Sequence, residues 1–231
     1  MVTPVESKAL LTLLVDDAED TARWMLRRTT GPWKARRLQM LDTVPDVASY
    51  YSDAAAALGA DLYNSRRVGV AGAFAATPIV LDRTVRIRRG IAWASLPLEL
   101  HDVEAAGDRF AELIRSETTR PYRDTILGNG KRDGQYVGWT RITRPGSCGF
   151  CRALADRGAV YKKDTAIFAA HNNCLCTAAP VFVGQPHGPE ASVEAYTASK
   201  RRRTAEENAR TRAWAAGYED EYNPRKHIAI S

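Results

Sequence analysis

Cys148-Gly149-Phe150-Cys151 and, about twenty residues on, His171-Asn172-Asn173-Cys174-Leu175-Cys176 hold all four cysteines of the chain. Two thiols spaced C-x-x-C reach one metal ion from the arms of a tight turn, and a second pair closes the tetrahedron. The spacing is that of a structural zinc site. Four of the five residues Cys148, Cys151, His171, Cys174 and Cys176 are the expected ligands. Such a site has no open coordination position, so it contributes folding energy rather than an activated water. Disulfides or reduced core thiols are the alternative reading of the same residues. Arg144, Arg152, Arg157, Lys162 and Lys163 are placed in sequence to offset the negative charge of a thiolate cluster.

Around these bends the pattern is of short strands. Tyr136 to Ile142, Ala159 to Lys162 and Thr177 to Val183 each read as one, with Cys148 to Ala155 as a turn entering a brief helix. Ahead of them the chain is helical. Thr3-Pro4-Val5-Glu6 offers a capping box, Leu10, Leu13, Leu14, Ala18, Ala22, Met25 and Leu26 follow at helical spacing, and Thr30-Gly31-Pro32 ends the run. A short basic piece, Trp33 to Leu41, precedes a second helix opened by Thr43-Val44-Pro45-Asp46 and closed near Gly69 and Gly72, the two forming an antiparallel hairpin. Thr84 to Arg88 alternates as a half-exposed strand or an irregular connection would. Val103 begins a third helix expected to reach about Thr119, its first part bounded by Pro121 and a further turn over Tyr122 to Leu127 left open, and Gly128 to Gly134 reads as a loop. From Pro189 to about Tyr218 the pattern is helical and highly charged. The fold class is therefore α+β, in three parts: a mainly helical region 1–134, a small β-rich Cys/His module 135–188, and a charged helix and tail 189–231.

The net charge of +6 is unevenly placed: residues 83–163 carry 16 Lys and Arg against 9 Asp and Glu. Such a surplus is either a solvated basic face or a weak phosphate-binding surface. Its candidate nucleic-acid contacts are Arg86, Arg88 and Arg89, with Arg201, Arg202 and Arg203 of the terminal helix beside them. No apolar run approaches the length needed to cross a bilayer, and the amino terminus lacks a signal-peptide pattern, so folding in a cytoplasm is expected.

Enzymatic readings find little support. Zinc nucleobase deaminases place H-x-E ahead of P-C-x-x-C; here His171 follows the C-x-x-C and Asn173 stands where the proton-moving glutamate belongs. A redox C-x-x-C would leave the second cysteine pair unexplained. Phosphate-loop, H-E-x-x-H and G-x-S-x-G motifs are absent, and His101, His187 and His227 are isolated.

Trp139-Thr140-Arg141-Ile142, Pro145 to Cys151, Gly158-Ala159-Val160-Tyr161, His171 to Cys176 and Pro180-Val181-Phe182 together resemble the core of the tailed-phage minor capsid proteins related to phage Mu protein F, particularly those of actinobacterial phages. That family's pattern is C-x-x-C, G-x-x-Y/F, then H-x-x-C-x-C before a proline, and each position is met; Leu175 departs from the basic or polar residue common there. The resemblance implies a non-catalytic head-morphogenesis protein of the virion, at the portal vertex or inner capsid face. Portal or major capsid protein would be its partner, and packaged double-stranded DNA a further candidate. A zinc-ribbon-like nucleic-acid-binding protein is the alternative suggested by the same cysteines and basic centre.

Overall fold

The computed structural model describes residues 1–143, 149–156, 161–163, 168, 175–185, 204–206, 209, 210 and 213 of the chain. Helix α1 (Pro4–Arg28) starts at the capping box: Thr3 Oγ1 accepts from the Glu6 N–H while the Glu6 carboxylate accepts from the Thr3 N–H at 2.8 Å. It turns at Gly31, φ +88°, into α2 (Trp33–Arg66), which runs back antiparallel: Tyr51 meets Asp17 and Thr21, and Ser65 meets Val2. Helix α3 (Thr84–Ala94) and a 3-10 turn (Leu96–Leu100) lead to α4 (Val103–Arg132), antiparallel to α1 and parallel to α2.

Five sequence expectations are corrected. Trp33 to Leu41 is no separate piece, and Pro45 does not open a helix; α2 passes through it. Proline there lacks an N–H and crowds the preceding turn, but Met40, Val44, Ala48 and Tyr51 are buried as one stripe, and continuing that face outweighs the local cost. Thr84 to Arg88 is helical, because the apolar face is completed only by Ile91 and Ala94 further on. Helix α4 likewise continues past Thr119 through Pro121, which is itself buried, and through the expected glycine loop to Arg132. Those glycines serve packing: a Cβ on Gly128 would stand 2.6 Å from Ile79 Cδ1, and one on Gly130 2.6 Å from the Tyr136 ring.

Strands β1 (Tyr136–Ile142), β2 (Tyr161–Lys162) and β3 (Thr177–Phe182) form an antiparallel sheet in the order β2-β1-β3, and α5 (Gly149–Ala155) packs on β1. These elements agree with the reading of the sequence; Ala159 and Val160 lie outside the described residues. All of β3 is buried. One core cluster joins Leu11 and Val15 of α1, Tyr63 of α2, Tyr122 of α4, Trp139 of β1 and Phe182 of β3, so the helices and the sheet share an interior. A second cluster, with Leu26, Met40, Ile91 and Phe110, fills the other end of the bundle. The fold is α+β. Of the charged terminal helix, Ala205, Glu206, Ala209, Arg210 and Ala213 are described and helical, with an exposed Arg210–Glu206 pair at 2.6 Å.

Candidate functional site

The pairing of β1 with β3 sets the geometry around the cysteines. Ile142 opposes Thr177 and Arg141 opposes Ala178. The chain leaving β1 toward the first cysteine bend therefore stands beside the chain entering β3 from the second. Cys151 on α5 and Cys176, one residue before β3, are 2 % and 1 % exposed and pack in a single cluster with Phe168. Tyr161 of β2 ties α5 down by donating to the Leu154 carbonyl at 2.7 Å. Two of the five candidate ligands are thus brought together; Cys148, His171 and Cys174 lie outside the described residues.

The surroundings are aromatic and cationic. Trp139 stacks on Tyr161 with centroids 4.1 Å apart, and Phe168 lies 5.0 Å from Trp139. The Arg141 guanidinium sits 4.2 Å from the Phe168 centroid and that of Arg123 4.8 Å, while Arg123 Nε donates to the Cys176 carbonyl at 2.8 Å. Both arginines are buried. The two cysteines are thus enclosed from solvent beside an aromatic ring that also carries two guanidinium groups.

The sequence reading missed these two cations. It placed the offsetting charge on neighbours in the chain, and Arg123 arrives from α4, 53 residues before Cys176. Of the named neighbours, Lys163 instead donates to the Asp133 carbonyl at 3.0 Å, and Arg144 and Arg157 lie outside the described residues. No local signal points to Arg123; the alternation of β1 could have marked Arg141 as inward-facing.

Arg86, Arg88 and Arg89 fall on α3, all exposed. Arg86 is partly committed inward: its Nε lies 3.0 Å from Oε1 of Glu117, a carboxylate only 1 % exposed that Arg83 also grips, with Arg83 Nη2 3.0 Å from the same oxygen. Burial and the neighbouring charges of Arg83 and Arg86 hold the Arg120 guanidinium below its usual pKa. Arg201, Arg202 and Arg203 lie outside the described residues. No helix among the described residues is long and apolar enough to cross a membrane.

A family model described as VG15 protein matches residues 7–201, a span covering both the helical bundle and the cysteine-bearing sheet. No curated protein and no solved structure matches the chain.

Proposed function

The chain belongs to the VG15 protein family, a family of phage proteins, and from that premise we propose that it is a minor capsid, or head-morphogenesis, protein of the phage Mu protein F-like kind. It is a structural component of the virion head, at the portal vertex or inner capsid face, with no catalytic step of its own. The observation that carries this reading is the meeting of Cys151 and Cys176 in one buried cluster on a sheet whose core is shared with the helices. Sulfurs so enclosed are suited to architecture. Zinc, held by four of Cys148, Cys151, His171, Cys174 and Cys176, would lock the two bends together and supply stability rather than reactivity.

Portal or major capsid protein is the proposed partner. Leu10, Leu13 and Trp24 of α1, exposed by 45 %, 65 % and 52 %, support a protein contact on the amino-terminal helices. The alternative, a zinc-ribbon-like nucleic-acid binder, is the weaker reading because Arg86 spends part of its charge on buried Glu117. Packaged DNA remains a neighbour in the head on this reading rather than the principal ligand.

The test is the protein content of purified particles. Mass spectrometry of virions from the encoding phage is expected to find the chain in few copies, retained in heads stripped of tails. A nonsense mutant is expected to lower the yield of DNA-filled heads. Particles lacking the chain, with normal filled heads from the mutant, would sink the proposal.

A further inference from the structure

The chain carries a net charge of +6, yet its α1–α2 hairpin has the opposite sign. Residues 38–65 of α2 hold Asp42, Asp46, Asp53 and Asp61 and no lysine or arginine. With Tyr50 and Ala57 these four recur at three- and four-residue spacing, and all six are exposed, so α2 presents them as one stripe. None of the four aspartates has an ion-pair partner among the described residues. On α1 the exposed stripe is Leu10, Leu13, Asp17, Asp20 and Trp24, with Asp16 beside it. The cations of residues 4–26 are Lys8, which is buried, and Arg23, which is held by Glu19, Asp20 and Asp108. Tyr51 joins the two stripes: it donates to Asp17 at 2.6 Å, and its ring meets the exposed ring of Tyr50 edge-on at 5.2 Å.

We infer that this face docks a basic amphipathic helix of another protein chain. The inference rests on the protein contact proposed above for the amino-terminal helices and names its chemistry. Sign decides the class of partner. A surface of exposed carboxylates without counter-charges repels the phosphates of DNA, and repels the same face of a second copy, while lysine and arginine are drawn to it. Spacing decides its shape. Leu10, Leu13, Asp17, Asp20 and Trp24 form a ridge at three- and four-residue intervals, against which a third helix packs. Leu10 to Trp24 spans about 21 Å of helix, so the partner needs about fourteen residues. Its apolar pair lies over Leu10 and Leu13, and its cations a turn further on, over Asp17 and Asp20. Past Trp24 the helix ends in Arg27 and Arg28, and the Arg28 guanidinium sits 4.8 Å from the indole centroid. That end is therefore closed to a partner's cations, which fixes the direction of the charge pattern along α1.

The probe is a fluorescent amphipathic helix of about eighteen residues, built from leucine, alanine and lysine, titrated with the full chain and read by anisotropy. Binding is expected to weaken with salt. Two control peptides, one with its leucines scattered around the helix and one with glutamate for each lysine, are expected to bind at least about 10-fold more weakly. Leu13→Ser and the pair Asp46→Lys/Asp53→Lys, all at exposed positions, are each expected to reduce affinity about 10-fold while melting like the parent. Arg88→Glu on α3 is expected to leave it unchanged. In assembled heads, a photo-cross-linker at position 13 is expected to join a lysine- or arginine-rich helix of another protein. Absence of peptide binding, equal binding of either control, or binding indifferent to both α1 and α2 variants overturns the inference. So does a cross-link to DNA or to α1 of a second copy. A chain missing from particles would fail the capsid reading alone, because the peptide is read in solution.

Discussion

Asp133 sits where α4 gives way to β1, and its carboxylate gathers the end of the bundle. Arg67 Nε lies 2.7 Å from Oδ2, Tyr63 donates to the same oxygen at 3.2 Å, and the Gln135 N–H donates to Oδ1 at 2.9 Å. The same guanidinium donates to the Gly72 and Ala71 carbonyls, closing the turn that Gly69 and Gly72 make at φ +82° and +76°. Burial alone would raise the Asp133 pKa; the hydrogen bonds from Arg67 and Gln135 outweigh it and hold the group below the usual carboxylate range. A depressed folded-state value means stability that is present above the unfolded value, about 3.9, and lost as pH falls through the folded one. Asp133→Asn is therefore expected to cost about 3 kcal/mol at pH 7, because it leaves a buried guanidinium without its counter-charge. The gap should narrow below about pH 4. Urea unfolding at neutral and acid pH measures both; an equal gap at the two pH values would show that charge is not the cause. The residue was read from sequence as part of a glycine loop, since nothing near it in the chain announces Arg67.

At the scale of elements, α2 and α4 lie so close that side chains must be omitted between them. A Cβ on Gly59 would stand 2.8 Å from the Tyr122 carbonyl oxygen and 3.3 Å from Thr125 Cβ. Alanine gains about 1 kcal/mol over glycine in a helix, but the obstructing atom is backbone and cannot rotate away. Gly59→Ala is thus expected to destabilise by about 2 kcal/mol net, read as a lower midpoint in denaturant. A gain in stability would show that the helices can separate freely. The helix ends were misread for a related reason. Pro45, Pro121, Gly128 and Gly130 are breakers by local rule, yet each lies within a helix whose buried face continues past it. Local propensity is a small term beside the burial of that face. The stretch before α3 shows the same division. Asn64 and Asn129 pair their amides with the backbone of Ala76 and Thr77, anchoring an extended segment by contacts 12 and 52 residues distant.

For the whole molecule, the shared core of helices and sheet has a consequence for the proposed metal. Removing it with a strong chelator under reducing conditions is expected to lower the melting temperature of the entire chain in one transition, because Tyr63, Tyr122, Trp139 and Phe182 belong to one cluster. Cys151→Ser is expected to act in the same direction and to reduce bound zinc. An unchanged melting curve on full chelation would exclude a structural metal, and a separate early transition would show the sheet to be an independent unit. The sequence by itself determined what short-range pattern can specify: the capping box at Thr3, the strand Tyr136–Ile142, the α+β class, and a phage protein. Tertiary structure alone decided which helices run through their breakers, that Arg123 and Arg141 meet on the Phe168 ring that packs with Cys151 and Cys176, and that Arg86 turns toward Glu117 while Arg89 stays outward. The physical reason is range: hydrophobic periodicity and caps act within a turn or two of the chain, whereas counter-charges and close helix contacts are chosen among residues that only the folded core brings within reach.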